Sequence, residues 1–368
     1  MQLKDLLARV RQLDKKHVIA SALLGVLAIA FLLGLFAFRG ALFDRGADPS
    51  QPPVTPAAGD EREPLAFRHP LTGAPEAEER ETLPRVFSVM VDHAADAWPQ
   101  SGVDGAFLVI EAPVEASIPR LQAFFSEEVD AEKIGPVRSA RPYFVDWASG
   151  FGALYAHVGG SDDALRKINN GAGVVDLNQF SNGASFWRSA DRYAPINVYT
   201  SMDLLRAAFD RLVQARRAPE AVEYGTWTFK DHAEGEDRPE AGVSPTVDFS
   251  SSTYRVRWAY DPATNLYRRY QGPSVYALQD GAEIQAANVA VVVTDMRVLD
   301  AVGRREIRTL GEGEAVLFQD GRAVDAMWKK ESAGERLRFY DEDGEELAFN
   351  PGLTWIEVVS NRDAVRTE

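Results

Sequence analysis

From Val18 to Phe38 the chain runs for 21 residues without a charge, mostly in Ala, Leu, Ile, Val and Phe. About 20 apolar residues in a helix span the hydrocarbon of a bilayer, and only helices and closed barrels satisfy their backbone groups there. The run therefore predicts one membrane-spanning helix. Lys4, Arg9, Arg11, Lys15 and Lys16 precede it, and only Arg39 and Arg45 follow before residue 60. The positive-inside rule then places a cytoplasmic tail at 1–17 and the bulk of the chain outside, as a single-pass protein of the plasma membrane. A cleaved signal peptide fits less well. Its apolar core is about 7–15 residues and ends at a small-x-small site, whereas this run is longer and ends in Leu35-Phe36-Ala37-Phe38-Arg39. Residues 39–67 are no packing partner for a core helix. Pro49, Pro52, Pro53, Pro56 and the charged stretch Asp60 to Glu63 read as a disordered tether.

The 368 residues suffice for about two domains. The formal net charge is −15; residues 1–50 contribute +3, so the remainder sums to −18. A bulk charge of that sign argues against nonspecific nucleic-acid binding, which needs basic patches against phosphate. It also disfavours broad adhesion to an anionic lipid surface. The chain has no cysteine. That excludes disulfides, thiolate metal sites, cysteine nucleophiles and a lipid-modified cysteine, so any anchor must come from the polypeptide itself.

Beyond the tether the pattern is α+β, with a mixed α/β part at 68–229 and a β-rich part at 248–362. Arg85 to Val91, Ala106 to Glu111 and Ala153 to Val158 read as strands, with turn chemistry at Trp98 to Gly102. Ile118 to Phe125, with Pro119 in its first turn, reads as a helix. Ser201 to Arg217 is the clearest helix. Met202, Leu205, Phe209, Leu212 and Val213 form one stripe, and Thr200 or Ser201 can cap it. Residues 230–247, with Gly235, Pro239, Gly242 and Pro245, read as a linker or long loop. After them Thr253 to Tyr260 alternates. Asn288 to Val298 is a nearly continuous apolar strand, and further strands are expected at 315–318, 323–328, 337–340 and 354–359. Asp320-Gly321 and Asp343-Gly344 are hairpin signals.

The stretch Glu132 to Phe144, EKIGPVRSARPYF, resembles the signature of the YerB-like lipoprotein family, bacterial envelope proteins built from a two-part domain of unknown function. The resemblance continues in Val89 to His93, Pro99 to Ala106, His157 to Ser161, Phe186 to Arg188 and Arg192 to Ser201. In the second part it covers Asn288 to Asp295, Gly313 to Lys330 and Gly352 to Val359, so that it spans about residues 68–362. It implies an envelope location. It implies no settled enzymatic activity. The chain departs from the family in lacking the lipid-modified Cys, in His93 where Asn is usual, in Ile196 where His is usual, and in Ala116 to Arg120 (ASIPR) where the family reads GGITR. A site that depended on that His or those glycines would be altered here.

The candidate site is an anion site. Arg138 and Arg141 lie three apart in a Gly-Pro-bounded segment, and Arg188 and Arg192 come from two further motifs. Guanidinium forks bind phosphate or carboxylate bidentately. Gly159-Gly160-Ser161 stands between a strand and a helix start, where free N–H groups favour an anion. The same arginines are equally able to pair internally with Asp92, Glu111, Glu115 or Asp146. Asp92 and Glu111 are candidate acid–base carboxylates. His157 is a candidate base or proton donor, or else a satisfied buried histidine. The five histidines, 17, 69, 93, 157 and 232, show no metal-ligand spacing, and no Walker loop, GxSxG or HExxH is present, so neither a metal nor a cofactor is expected. Trp258, Tyr260, Tyr267 and Tyr270 alternate with Arg255, Arg257, Arg268 and Arg269. This pattern fits a glycan- or partner-facing surface, and equally an ordinary sheet with one polar face. Two functions remain. The first is a non-enzymatic envelope protein that binds an anionic envelope ligand or a partner protein. The alternative is a transferase or hydrolase acting on a phosphorylated cell-wall precursor.

Overall fold

Two short strands, β1 (Phe67–Arg68) and β2 (Pro75–Glu76), pair with each other at the start of residues 67–368, the part of the chain that the computed structural model describes. The tail, the apolar run Val18–Phe38 and the tether through residue 66 lie outside the described residues. Among the described residues no helix is long and apolar enough to cross a membrane.

The first part continues with β3 (Val86–Asp92), β4 (Leu108–Pro113), β5 (Pro119–Ser126), helix α1 (Pro142–Ser149), β6 (Leu154–His157), α2 (Asp162–Asn169) and β7 (Val175–Asn178). A small hairpin of β8 (Trp187–Arg188) and β9 (Val198–Tyr199) then leads into α3 (Met202–Gln214). The second part is strands: β10 (Pro245–Asp248), β11 (Arg255–Asp261), β12 (Leu266–Gln271), β13 (Ser274–Val275), β14 (Gln285–Ala286), β15 (Asn288–Val293), β16 (Met296–Val298), β17 (Arg305–Ile307), β18 (Gly311–Gln319), β19 (Arg322–Lys330), β20 (Arg338–Tyr340), β21 (Thr354–Val359) and β22 (Val365–Thr367). The fold is thus mixed α/β with a β-rich C-terminal part.

Both parts share one ten-stranded sheet, in the order β20-β19-β18-β15-β21-β4-β5-β3-β6-β7. They meet where β21 pairs in parallel with β4, Thr354 opposite Leu108 through to Glu357 opposite Glu111. Both faces of this sheet are covered, which is why β15 (NVAVVV) and β21 (TWIEVV) read as near-continuous apolar runs. On one face lies α1, whose Tyr143, Phe144 and Trp147 pack with Phe124, Phe151 and Phe339. On the other lie α3 and a second sheet, in the order β13-β12-β11-β10-β22 with β14 beside β12. There Trp258 meets Trp355 at a ring distance of 5.4 Å.

Two expectations are corrected. Ile118 to Phe125 is no helix; Pro119–Ser126 is strand β5, held between β4 and β3 by ladders on both sides. All eight of its residues are buried, so no polar face marks a period of two, and tertiary pairing overrides the local signal. The long strand expected at Asn288 to Val298 breaks at Thr294-Asp295. Its first six residues join the large sheet, and Met296–Val298 pair with β17 in a separate hairpin. At Ser201 the helix start is as expected, with the hydroxyl accepting from Leu204 N.

Asp320 and Gly321 form the two-residue turn between β18 and β19, both at positive φ (52° and 69°), the type I′ geometry that suits strand twist. A Cβ on Gly321 would stand 2.5 Å from Tyr260 and 2.7 Å from Pro239. Gly321→Ala is therefore expected to lower stability by about 1–3 kcal/mol, read as a drop in the denaturant midpoint; an unchanged midpoint would contradict this account of the turn.

Candidate functional site

Strands β3, β6 and β7 run parallel, so their carboxyl ends, Asp92, His157 and Asn178, lie at one edge of the sheet. Ligands of α/β sheets sit at such edges. The segment Ile134–Arg141 crosses there. Arg138 N donates to Met90 O at 2.8 Å, Val158 N to Arg138 O at 3.0 Å, and Ala140 N to Gly159 O at 3.0 Å. This threading, terminated by Pro142 at the first turn of α1, carries Arg138 and Arg141 to the strand ends.

Arg138 donates from Nε to Asp92 Oδ2 at 2.7 Å. The Asp92 side chain is 4% exposed and that of Arg138 is 27% exposed. Arg141 forks onto Glu115 at 2.7 and 2.6 Å and gives its third donor to the Ala140 carbonyl. A third guanidinium, Arg120 of β5, stands opposite Asp92 in the ladder and is 6% exposed. It donates to Ser139 O at 2.9 Å, but its Nε has no partner and it lies in no ion pair. Burial first, and then the nearby Arg141 charge, push its pKa down to about 10. The Tyr155 hydroxyl, fully buried in the field of Arg120 and Arg141, is also unpartnered. Three arginines thus face two carboxylates, and buried donors stand unused.

His157 places Nδ1 2.6 Å from Gly159 O and Nε2 2.8 Å from Asp176 Oδ1. Both nitrogens face acceptors, so the ring makes both bonds only when it is protonated. Ser161 caps α2 through Ala164 N. Asp162 and Asp163 in the first turn already complement the helix dipole. Gly160 packs on Ala140, which a Cβ would approach to 3.2 Å. The structure therefore gathers Asp92, Arg138, Arg141, His157, Gly160 and Ser161, and adds Arg120 and Glu115. It does not gather the rest. Arg188 bonds Asn197 at 2.7 Å within the β8–β9 hairpin, and Arg192 donates to the carbonyls of Asp96 and Pro99 at 3.1 and 2.6 Å.

Glu111 points to the opposite face of the sheet, into a closed polar network that also holds the fully buried Glu357, Arg269 and His93. Glu111 Oε2 accepts from Arg269 at 2.8 Å and from Trp355 Nε1 at 3.1 Å. Glu357, opposite Glu111 in the ladder, accepts from Trp258 Nε1 at 2.8 Å. Two adjacent buried carboxyls beside one arginine do not both ionise. Burial, followed by the Glu111 charge, raises the Glu357 pKa well above the carboxylate range, so it keeps its proton. His93 Nδ1 faces the N–H donors of Trp98 (3.2 Å) and Gln100 (3.1 Å) and must accept; its Nε2–H then donates to Gln271 Oε1 at 3.2 Å. The ring is neutral, its pKa pushed down to about 4 by burial.

Sequence reasoning missed Arg120, because a residue of a supposed helix has no strand face. It also missed Arg269, although one of the adjacent Arg268-Arg269 must point inward in any strand. Trp258, Tyr267 and Arg269 are buried, which makes the aromatic–arginine alternation the inner and outer faces of an ordinary sheet.

Residues 71–215 match the domain described as "Protein of unknown function (DUF3048) N-terminal domain", and residues 245–356 its C-terminal counterpart. The chain is 32% identical over 302 residues to the Bacillus subtilis (strain 168) protein named "Putative lipoprotein YerB", across 81% of this chain and 88% of that one. The crystal structure of the YerB protein from Bacillus subtilis superposes with a TM-score of 0.72 at 30% identity, over 82% of this chain and 99% of the other.

The buried network sets a dependence of stability on pH. Below pH 6.5 the unfolded chain protonates His93 while the folded chain does not until about pH 4. Stability from this group is full above 6.5 and falls by up to about 3 kcal/mol as pH drops through that window. Glu357 acts oppositely: the unfolded carboxyl ionises above about 4.5 while the folded one holds its proton, so its contribution is lost as pH rises. Urea unfolding of the full chain in detergent should give a dome against pH. His93→Gln should flatten the acid side, and Glu357→Gln the alkaline side. Unchanged slopes in both variants would refute these protonation states.

Proposed function

The chain belongs to the DUF3048 family of YerB-like proteins, and from that premise we propose that it works outside the cytoplasm, held to the membrane by Val18–Phe38, as a receptor for an anionic group of the cell envelope. The lipoprotein name of its relative supports the envelope address. With no cysteine in the chain, the apolar run supplies an attachment in place of a lipid. The tether gives reach.

The observation that carries the ligand assignment is Arg120. A buried guanidinium without a carboxylate is costly, and here it lies beside Arg138 and Arg141. The two terminal nitrogens of Arg138 donate to no group among the described residues. A phosphate or carboxylate oxygen at this edge would take the spare terminal donors of the partly exposed Arg138 and supply negative charge beside the buried Arg120. Acid–base work by Glu111 gains no support, since Glu111 lies on the other face of the sheet.

Two measurements test the proposal. Titration of the full chain in detergent with inorganic phosphate should raise its melting temperature. Arg138→Gln, which alters a partly exposed side chain, should weaken phosphate binding at least tenfold, as expected for loss of a charged hydrogen bond worth about 1.5–3 kcal/mol. No stabilisation of the unaltered chain at tens of millimolar phosphate would end the anion assignment. Separately, deleting residues 1–38 should move the protein from the membrane to the soluble fraction; continued sedimentation with membranes would sink the anchor.

A further inference from the structure

A pocket lies against the polar network around His93, and none of its residues belongs to the arginine edge. It has a volume of about 450 Å³ and is bounded by Trp98 and Pro99 of the first part, and by Thr253, Gln271, Pro273 and Tyr276 of the second. No charged side chain lines it, although the chain as a whole carries −15. The walls are aromatic rings, proline rings, hydroxyls and one amide.

The aromatic walls are fixed from behind. The Trp98 indole N–H is spent on His93 Nδ1 at 3.2 Å, and the ring packs edge-on against Tyr254 at 5.8 Å. The Tyr276 hydroxyl is spent on Gln100. Gln271 donates its N–H to Thr253 O at 2.7 Å, and its oxygen accepts from Arg269 and His93. Arg192 clamps the Asp96–Pro99 turn through two carbonyls. Ordering costs are therefore met before any ligand arrives.

We propose that this pocket binds an uncharged sugar ring of a glycan. Three features select that chemistry. The lack of a lining cation leaves a phosphate or carboxylate without compensation. A cationic ligand such as a quaternary ammonium is disfavoured because the Arg269 guanidinium already lies 4.3 Å from the centre of the Tyr276 ring and puts a fixed positive charge behind that wall. A proline-rich peptide brings carbonyls that carry no internal hydrogen bonds. It would need donors from the wall, yet the indole N–H and the tyrosine O–H are both in use. A sugar has an apolar ring face for the aromatic wall and hydroxyls that donate as well as accept. Its hydroxyls can pair with those of Ser252, Thr253 and Ser274 on the rim while its ring face lies on the aromatic wall, a pairing that the single-row carbonyls of an extended peptide use only in part.

The test is saturation-transfer NMR on the full chain in a sugar-free zwitterionic detergent. The probes are diacetylchitobiose, cellobiose and maltose at millimolar concentration, with choline and a Pro-Pro-x-Pro peptide as competing arms. At least one disaccharide is expected to show transfer to its ring protons. Ser274→Arg, an exposed rim substitution that leaves the His93 network intact, should weaken that binding at least tenfold, and Trp98→Ala should do so too. Retained phosphate binding in Ser274→Arg would keep this site separate from the arginine edge. The proposal is overturned if no disaccharide shows transfer, if choline or the peptide binds in preference, or if Ser274→Arg binds the sugar as tightly as the unaltered chain.

Discussion

One buried ion pair ties the second sheet to the first. Arg269 rises from β12 into the space between the sheets and meets Glu111 of β4 at 2.8 Å, both side chains fully buried. Its guanidinium also lies 4.9 Å from the centre of the Trp355 ring. Removing water from two charges is expensive, and attraction repays it only when the remaining donors and acceptors are satisfied. The surroundings meet most of that demand, leaving Arg269 Nε and one oxygen each of Glu111 and Glu357 without a partner. Trp355 donates to Glu111, Glu357 keeps a proton, and His93 remains neutral so that no second positive charge enters. The partners come from β12, β4, β21 and the turn after β3, so the pair links both sheets at one register.

The same arrangement sets the two sides of the sheet apart chemically. On the interior side the charges cancel, and the nearby pocket inherits neutral walls. On the helix-covered side the β3–β5 ladder sets Arg120 opposite Asp92, but Asp92 turns to Arg138. Arg120 is left with one carbonyl and an excess of positive charge around it. A protein with a large negative charge thus carries a small, enclosed positive edge at the carboxyl ends of its parallel strands. It also carries a separate uncharged aromatic pocket.

Much of the fold was legible where a strand or helix has its own local signature. The hairpin at Asp320-Gly321, the cap at Ser201, the strand at Thr354 to Val359 and the strand–glycine–helix passage around His157 to Ser161 follow from turn chemistry, capping and periodicity. The failures share one cause. β5 is buried on both faces and bears no alternation, and Asn288 to Val298 looks like one strand because its apolar run does not reveal where a partner ends. Of the candidate site, Arg138, Arg141, Asp92 and His157 were recognisable as polar residues in ordered motifs. Arg120 and Arg269 were not, because a charge on a strand shows its direction only once the neighbouring strands are known.

The sequence by itself determined the acidic bulk, the absence of thiol chemistry and the resemblance to one envelope family, and it raised the expectation of an anchor at Val18 to Phe38 followed by a tether. These depend on composition and on contacts close along the chain. Only the tertiary structure decided which carboxylate each arginine meets. It joined β21 to β4 across 244 positions to bring Trp355 against Glu111, and it put Glu111, inside β4, and Asp92, at the end of β3, on opposite faces of one sheet. Ion pairing and burial depend on distances between residues far apart in sequence, and those distances exist only after the sheet has closed.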